Sequence, residues 1–338
     1  MDNVVKIIRR KAYHTPAQKA NVRKLIMLTL IVIGVCTAFL LINAYPEKPK
    51  LFRYILSLRI PTLAVMTIAS FAIGCASLVF QSIINNRIVT PCLLGMNSMY
   101  TLVHTAVVFI AGSGSVLATN ANLSFVIDLL VMSVSATFVY SYMFKKTGSN
   151  VLYVLLIGTV LSSFFGSVQS AMIRVMDPNE YDTLLTTLVA DFSNVNAEVI
   201  AFSLLILTAL TIFLRKDLLL LDVVTLGKDQ AINLGVDYDR TIRRLLLGVV
   251  FCIAVATAMV GPISFLGLII ANLARQLLKT YRHGQLIAGS ALMGMLAIIA
   301  GQLISQHIFS YAVPISTFIT IGGGIYFLYL LLFKKGGI

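Results

Sequence analysis

Chemistry in this chain of 338 residues would have to be assembled from few parts: four histidines, four cysteines and 13 acidic residues. His14, His104, His283 and His307 stand far apart, without the His-x-x-x-His or Glu-x-x-His spacing that sets two metal ligands on one helix face. Cys36, Cys75, Cys92 and Cys252 are scattered and unpaired in spacing, which suits buried small apolar side chains better than a disulfide framework or a metal site. Ser162, Ser163, Ser167 and Ser170 cluster, but no lysine or histidine stands beside them, so helix packing and backbone hydrogen bonds are the better reading. Gly227-Lys228 lacks both the upstream glycine and the following hydroxyl of a phosphate-binding loop, so ATP is not bound by that route. Asp128 is the main ionisable group inside an apolar run, near the outer end of that run. Ion-driven carriers need such costly intramembrane charges as coupling sites, and their scarcity counts against ion-coupled transport. No catalytic residue and no metal site is expected.

What the chain does concentrate is charge. Arg215 to Arg244 holds eleven charged residues: Arg215, Lys216, Asp217, Asp222, Lys228, Asp229, Asp237, Asp239, Arg240, Arg243 and Arg244. Within it, Leu226 to Gly235 reads as one or two helical turns closed by a glycine, set between two long apolar runs. A short exposed helix in that place implies a partner that presses on it.

The elements that must hold this island are membrane spans. At 58% hydrophobic and 12% charged residues, with mean hydropathy +0.93, the chain reads as an all-α, polytopic membrane protein. Apolar runs near 25–44, 61–84, 92–112, 123–144, 151–175, 197–214, 245–260, 263–279, 285–304 and 315–333 approach the roughly 20 residues a helix needs to cross a bilayer. Eight spans with re-entrant pieces is the alternative. Residues 1–24 form a basic tail before one transmembrane domain, 25–338, whose first span carries no cleavage site. With the tail inside, 21 of the 26 Lys and Arg residues fall on the cytoplasmic side, and Lys48, Lys50, Arg53, Arg59 and Arg174 do not. That bias agrees with ten spans and with both termini in the cytoplasm. It also accounts for the net charge of +13 without nucleic acid. Gly261-Pro262-Ile263-Ser264-Phe265-Leu266-Gly267 and Gly322-Gly323-Gly324 interrupt their spans, as in transporters or channels, or else serve close helix packing.

Leu226 to Gly235 resembles the Leu-Gly-x-x-x-Ala-x-x-Leu-Gly segment of the iron-siderophore and vitamin B12 permeases of ABC importers, the FecCD type. Val260 to Ile269, Leu155 to Ser163, Phe327 to Leu331 and Leu58-Arg59-Ile60-Pro61 fit further hallmarks of that family in the same order. Asn85 to Pro91 is similar to the branch importing catecholate or mixed-ligand siderophores such as petrobactin and anguibactin. Ala271 to Arg275 keeps only the arginine of the family's Pro-His-x-x-Arg, and Thr62 stands where a second arginine is usual.

The resemblance implies a type II ABC importer permease in the bacterial cytoplasmic membrane. It pairs with a second permease subunit, a cytoplasmic ATPase dimer that uses ATP and Mg, and an extracytoplasmic siderophore-binding protein. Haem or cobalamin is the other substrate class. In this reading Gly227 to Leu234 is a coupling helix. Gly227 lets the chain enter tightly, Ala231 keeps the contact face small, Leu226, Ile232 and Leu234 are apolar anchors, and Gly235 closes the helix. Arg53 and Arg59 receive acidic side chains of the binding protein, with snorkelling at the membrane interface as the competing role. Thr147, Gly148 and Ser149 fall in the family's gate region, where a plain turn serves equally well.

Overall fold

Hydrocarbon offers no water to satisfy backbone N–H and C=O groups, so a chain this apolar closes its hydrogen bonds within helices. The structure is a computed structural model that describes residues 16–44, 47–146, 151–193, 195–310 and 312–333, and every regular element among them is helical. In order these are α1 (Pro16–Leu41), α2 (Pro49–Ile84), a 3-10 turn (Pro91–Leu94), α3 (Met96–Ala111), α4 (Val116–Thr119), α5 (Ala121–Lys146), α6 (Val151–Val175) and α7 (Pro178–Thr187). They continue with α8 (Ala197–Val224), α9 (Lys228–Asn233), α10 (Tyr238–Val260), α11 (Leu266–Leu278), α12 (His283–His307) and α13 (Ile315–Phe333). Seven are long and apolar enough to cross a membrane, and α3, α11 and α13 are shorter apolar helices. Each of the ten expected spans therefore has its helix.

The span ends differ from expectation, for one physical reason. A helix stops at a cap and not where its side chains turn polar. α2 begins at Pro49, well before 61, and carries Pro61 inside it. Its 36 residues rise about 54 Å, against roughly 30 Å of hydrocarbon, so several turns overhang. α8 likewise continues past 214 to Val224. Arg215, Lys216, Asp217 and Asp222 are thus helical, and Arg240, Arg243 and Arg244 belong to α10.

α2 and α10 form the centre. In each, 72% of the most apolar stretch is buried, against 6% in α6. α2 packs on α12, α10, α11 and α8. Small residues let the backbones approach: a Cβ on Gly74 would lie 3.1 Å from the backbone of Ser290 and Ala291, and Ser290 Oγ donates to the Gly74 carbonyl at 3.2 Å. Gly294 meets Ser70 in the same seam. The face of α6 carries Thr159, Ser163, Ser167 and Ser170, all exposed, and each hydroxyl donates to a carbonyl three or four residues back.

The two glycine-rich interruptions behave differently. At Gly261 to Phe265 the chain leaves the helix, and other segments take up its backbone groups and side chains. The Asp191 N–H donates to Val260 at 2.9 Å, Cys92 Sγ lies 3.7 Å from the Ile263 carbonyl, and Asn97 Nδ2 reaches Ser264 Oγ at 3.5 Å. At Gly322 to Gly324, by contrast, α13 runs on unbroken. There a Cβ on Gly323 would fall 2.3 Å from Phe265 Cβ, so glycine serves close packing and not a break.

Gly267 has the same role more severely, since its Cβ would sit 1.9 Å from Ser77 Oγ and 2.8 Å from Ser77 Cβ. Gly267→Val should therefore force α11 off α2 and lower stability by about 1–3 kcal/mol. Gly34→Ala, with nothing within 4 Å, should not. Thermal unfolding of the detergent-solubilised protein measures both, and equal midpoints would contradict this packing.

Candidate functional site at the charged end of the bundle

The polar island folds around α9. After α8 the chain closes a tight turn in which Leu226 and Gly227 donate to the Val223 and Val224 carbonyls at 3.1 and 3.2 Å. Gly227 then adopts φ 108 and ψ 162, a conformation open essentially to glycine alone, and its carbonyl accepts from Ala231. Asp229 sits in the first turn, where the positive end of the helix dipole favours an acid. The far end is a Schellman closure. Gly235 at φ 78 donates to Ile232 at 2.8 Å, and Val236 donates to Ala231 at 3.0 Å. Asp237 then caps α10 by accepting from the Arg240 N–H.

The side chains divide cleanly. Leu226, Ile232 and Leu234 are about half exposed (53%, 51% and 49%). Ala231 is fully buried against its own chain. There it seats α9 on the bundle. The glycines act through their backbone conformation, because a Cβ on Gly227 or Gly235 would meet nothing within 4 Å.

Charged residues tie this end of the bundle together. Asp217, 5% exposed, faces Arg244 at 3.9 Å, and Lys228 reaches Asp239 at 3.3 Å. Asp222 accepts from the His283 N–H at 2.9 Å and lies 2.5 Å from His283 Nδ1. Lys24 donates to the Leu277 carbonyl at 2.8 Å near the end of α11. Arg275, the arginine singled out in the sequence, donates to Ser82 Oγ at 2.8 Å, and Asn272 Nδ2 donates to the Arg87 carbonyl at 2.8 Å.

At the opposite end Arg59 lies on the overhanging start of α2. Its Nη1 donates to the Leu40 and Ile42 carbonyls at 3.0 and 2.6 Å, and its guanidinium stands over the Phe39 ring. It thus closes the C-terminus of α1 and holds the α1–α2 hairpin. Arg59 also lines an open cavity of about 700 Å³ with Thr186, Asp191, Gln302 and Gln306. Thr62, in the place of a second arginine, is buried in that wall and bonds back to Leu58. Arg53 is exposed and six residues earlier on the same helix, hence about 120° away around its axis. The two arginines do not share one face.

Two pairs escaped sequence reasoning. His104 Nε2 and Asp128 Oδ2 meet at 2.8 Å between α3 and α5, with Asp128 only 3% exposed. Asp128 was visible as an anomalous acid, but its partner is 24 residues away and only the crossing of two helices unites them. Asp222 and His283 are 61 residues apart, with no sequence signal. Thr147, Gly148 and Ser149, expected near a gate, lie outside the described residues.

Comparison with known proteins follows the same lines. The petrobactin import system permease protein YclO of Bacillus subtilis (strain 168) is 39% identical over 279 residues, covering 82% of this chain and 89% of the relative. The petrobactin import system permease protein FatC of Bacillus anthracis is 29% identical, over 92% of this chain and 89% of its own. A solved structure of a metal-chelate type ABC transporter in an inward-facing conformation superposes with a TM-score of 0.76 at 21% identity, over 94% of this chain and 100% of that one. The model of the FecCD transport family matches residues 24–333, so this multi-pass membrane protein belongs to the FecCD transport family.

Proposed function

We propose that this chain is the membrane-spanning permease subunit of a bacterial ABC importer that takes up a ferric siderophore, with ATP and Mg used by a separate ATPase dimer. The observation that carries the reading is α9: a helix of six residues, closed by a Schellman turn, which with its flanking residues presents three half-exposed apolar side chains in the charged connector between two long spans. Leu226, Ile232 and Leu234 enter a cleft of the ATPase, while Gly227, Ala231 and Gly235 hold the shape that presents them. The iron arrives wrapped in the siderophore's own oxygens, so the permease need not ligate it. A ferric siderophore, and not haem or cobalamin, is favoured by the two relatives named for petrobactin import.

In this reading the island end is cytoplasmic, both chain termini lie on that side, and a second permease subunit, identical or different, completes the pathway. Arg53 and Arg59 face an extracytoplasmic siderophore-binding protein. Arg59 combines that role with capping α1, and Arg53 is the freer docking charge. Opposite charges on the two partners steer association and are screened by salt.

Substitutions separate anchor from scaffold. Ile232→Asp should leave thermal stability unchanged but weaken co-purification with the ATPase by about 2 kcal/mol or more, the scale of an interface anchor. Ala231→Arg should lower stability, because it places a charge in a fully buried position. ATP-dependent uptake that survives Ile232→Asp at the wild-type rate would sink the assignment of α9.

Arg53→Glu should slow binding-protein association several-fold at low salt, with the difference fading near ~0.5 M salt. Arg59→Glu should add a loss of stability, since the carbonyls of Leu40 and Ile42 lose their donor. Association rates from surface plasmon resonance across a salt series check both, and salt-independent rates in every variant would refute charge docking.

A further inference from the structure

A push on α9 must reach the other end of the bundle to move substrate, and ionic contacts lead away from α9 and its neighbours. Lys228–Asp239 joins two side chains that are each about half exposed (48% and 49%), a class of contact worth roughly 0–1 kcal/mol. Asp217–Arg244 is 3.9 Å long, and its arginine is 45% exposed. Asp222–His283 is of another kind. One carboxylate oxygen accepts from a backbone N–H at 2.9 Å and lies 2.5 Å from the Nδ1 of a histidine that is 4% exposed.

The position of that contact matters as much as its strength. Asp222 lies in the last turn of α8, directly before the bonded turn that leads into α9. His283 is the first residue of α12, and its N–H has no partner within its own helix. From there α12 is seamed to α2 at Gly74–Ser290, backbone against backbone, and at Gly294–Ser70. At its far end α12 brings Gln302 and Gln306 to the cavity that Arg59 of α2 also lines. A contiguous path of short bonds and close packing thus runs from α9 to the opposite end.

Resting on the reading of α9 as the ATPase contact, we propose that Asp222 and His283 are positioning residues forming the joint that makes α12, and α2 with it, follow α9. ATP-driven movement then reaches the far cavity by displacement of a packed pair of helices, a rigid-body transition.

The test uses the permease reconstituted in liposomes with its ATPase and binding protein, and reads ferric bis-catecholate chelate imported per ATP hydrolysed. Asp222→Ala and His283→Ala should each lower that ratio about two- to thirtyfold, the range spanned by mutations along coupled networks. The double variant should fall no further than either single one. ATPase co-purification and ATP hydrolysis should stay at the wild-type level, which a merely structural lesion would not allow. Wild-type ratios in both single variants, or losses that multiply in the double variant, would overturn the joint.

Should those variants fold poorly, Asp222→Cys with His283→Cys, in a chain whose Cys36, Cys75, Cys92 and Cys252 are replaced by alanine, supplies a reversible version. Bridging the pair with a short bis-methanethiosulfonate should raise the ratio above that of the same sample after reduction, and no change between the two states would overturn the proposal. A wild-type permease that binds no ATPase would remove the reading of α9 itself, an outcome distinct from a coupled wild type with equally coupled variants.

Discussion

Every helix in a membrane protein closes its own hydrogen bonds except at its ends, and those ends are what the side chains of this molecule are organised around. Arg59 supplies a donor to the last carbonyls of α1, and Lys24 does so for α11. Asp222 supplies an acceptor to the first N–H of α12, Asp237 to the Arg240 N–H in the first turn of α10, and the backbone of Asp191 closes Val260 at the end of α10. In water such groups would find solvent. Near hydrocarbon each unsatisfied one costs several kcal/mol, and Arg59, Lys24, Asp222 and Asp191 reach these ends from other segments of the chain. Their placement fixes which helices are joined at each end of the bundle.

The charged residues thereby acquire two functions that cannot be separated by composition. Arg59 is at once the clasp of the α1–α2 hairpin and part of a cavity wall with Gln302 and Asp191. Asp222 is both a cap for α12 and a link to the exposed connector. Leu226, Ile232 and Leu234 stay half exposed because the bundle holds α9 by the small Ala231 instead. An apolar face of that kind, left in an otherwise charged segment, is what a tightly fitting partner uses.

Much of this was legible in the order of residues. Ten apolar runs became ten apolar helices, and Gly227 and Gly235 mark the start and stop of α9 because positive φ favours a residue without Cβ. What stayed hidden has physical reasons. Hydropathy reports the lipid slab and not the helix, so Pro49 and Val224, where α2 begins and α8 ends, fell outside the apolar windows. Glycine runs carry the same letters whether they break a helix, as at Gly261, or let one pack, as at Gly323, and only the neighbour Phe265 decides. The burial of Ala231 depends on the tilt of α9. The pairs His104–Asp128 and Asp222–His283 depend on which helices cross, information that no local pattern contains.

The ladder of hydroxyls on α6 has a consequence of its own. Thr159, Ser163, Ser167 and Ser170 point outward from the least buried of the long spans, yet every proton is already given to the helix's own backbone. A surface of that kind is polar in composition but presents acceptors and no free donor among these four hydroxyls. A neighbour can slide along it without breaking any bond that these hydroxyls donate.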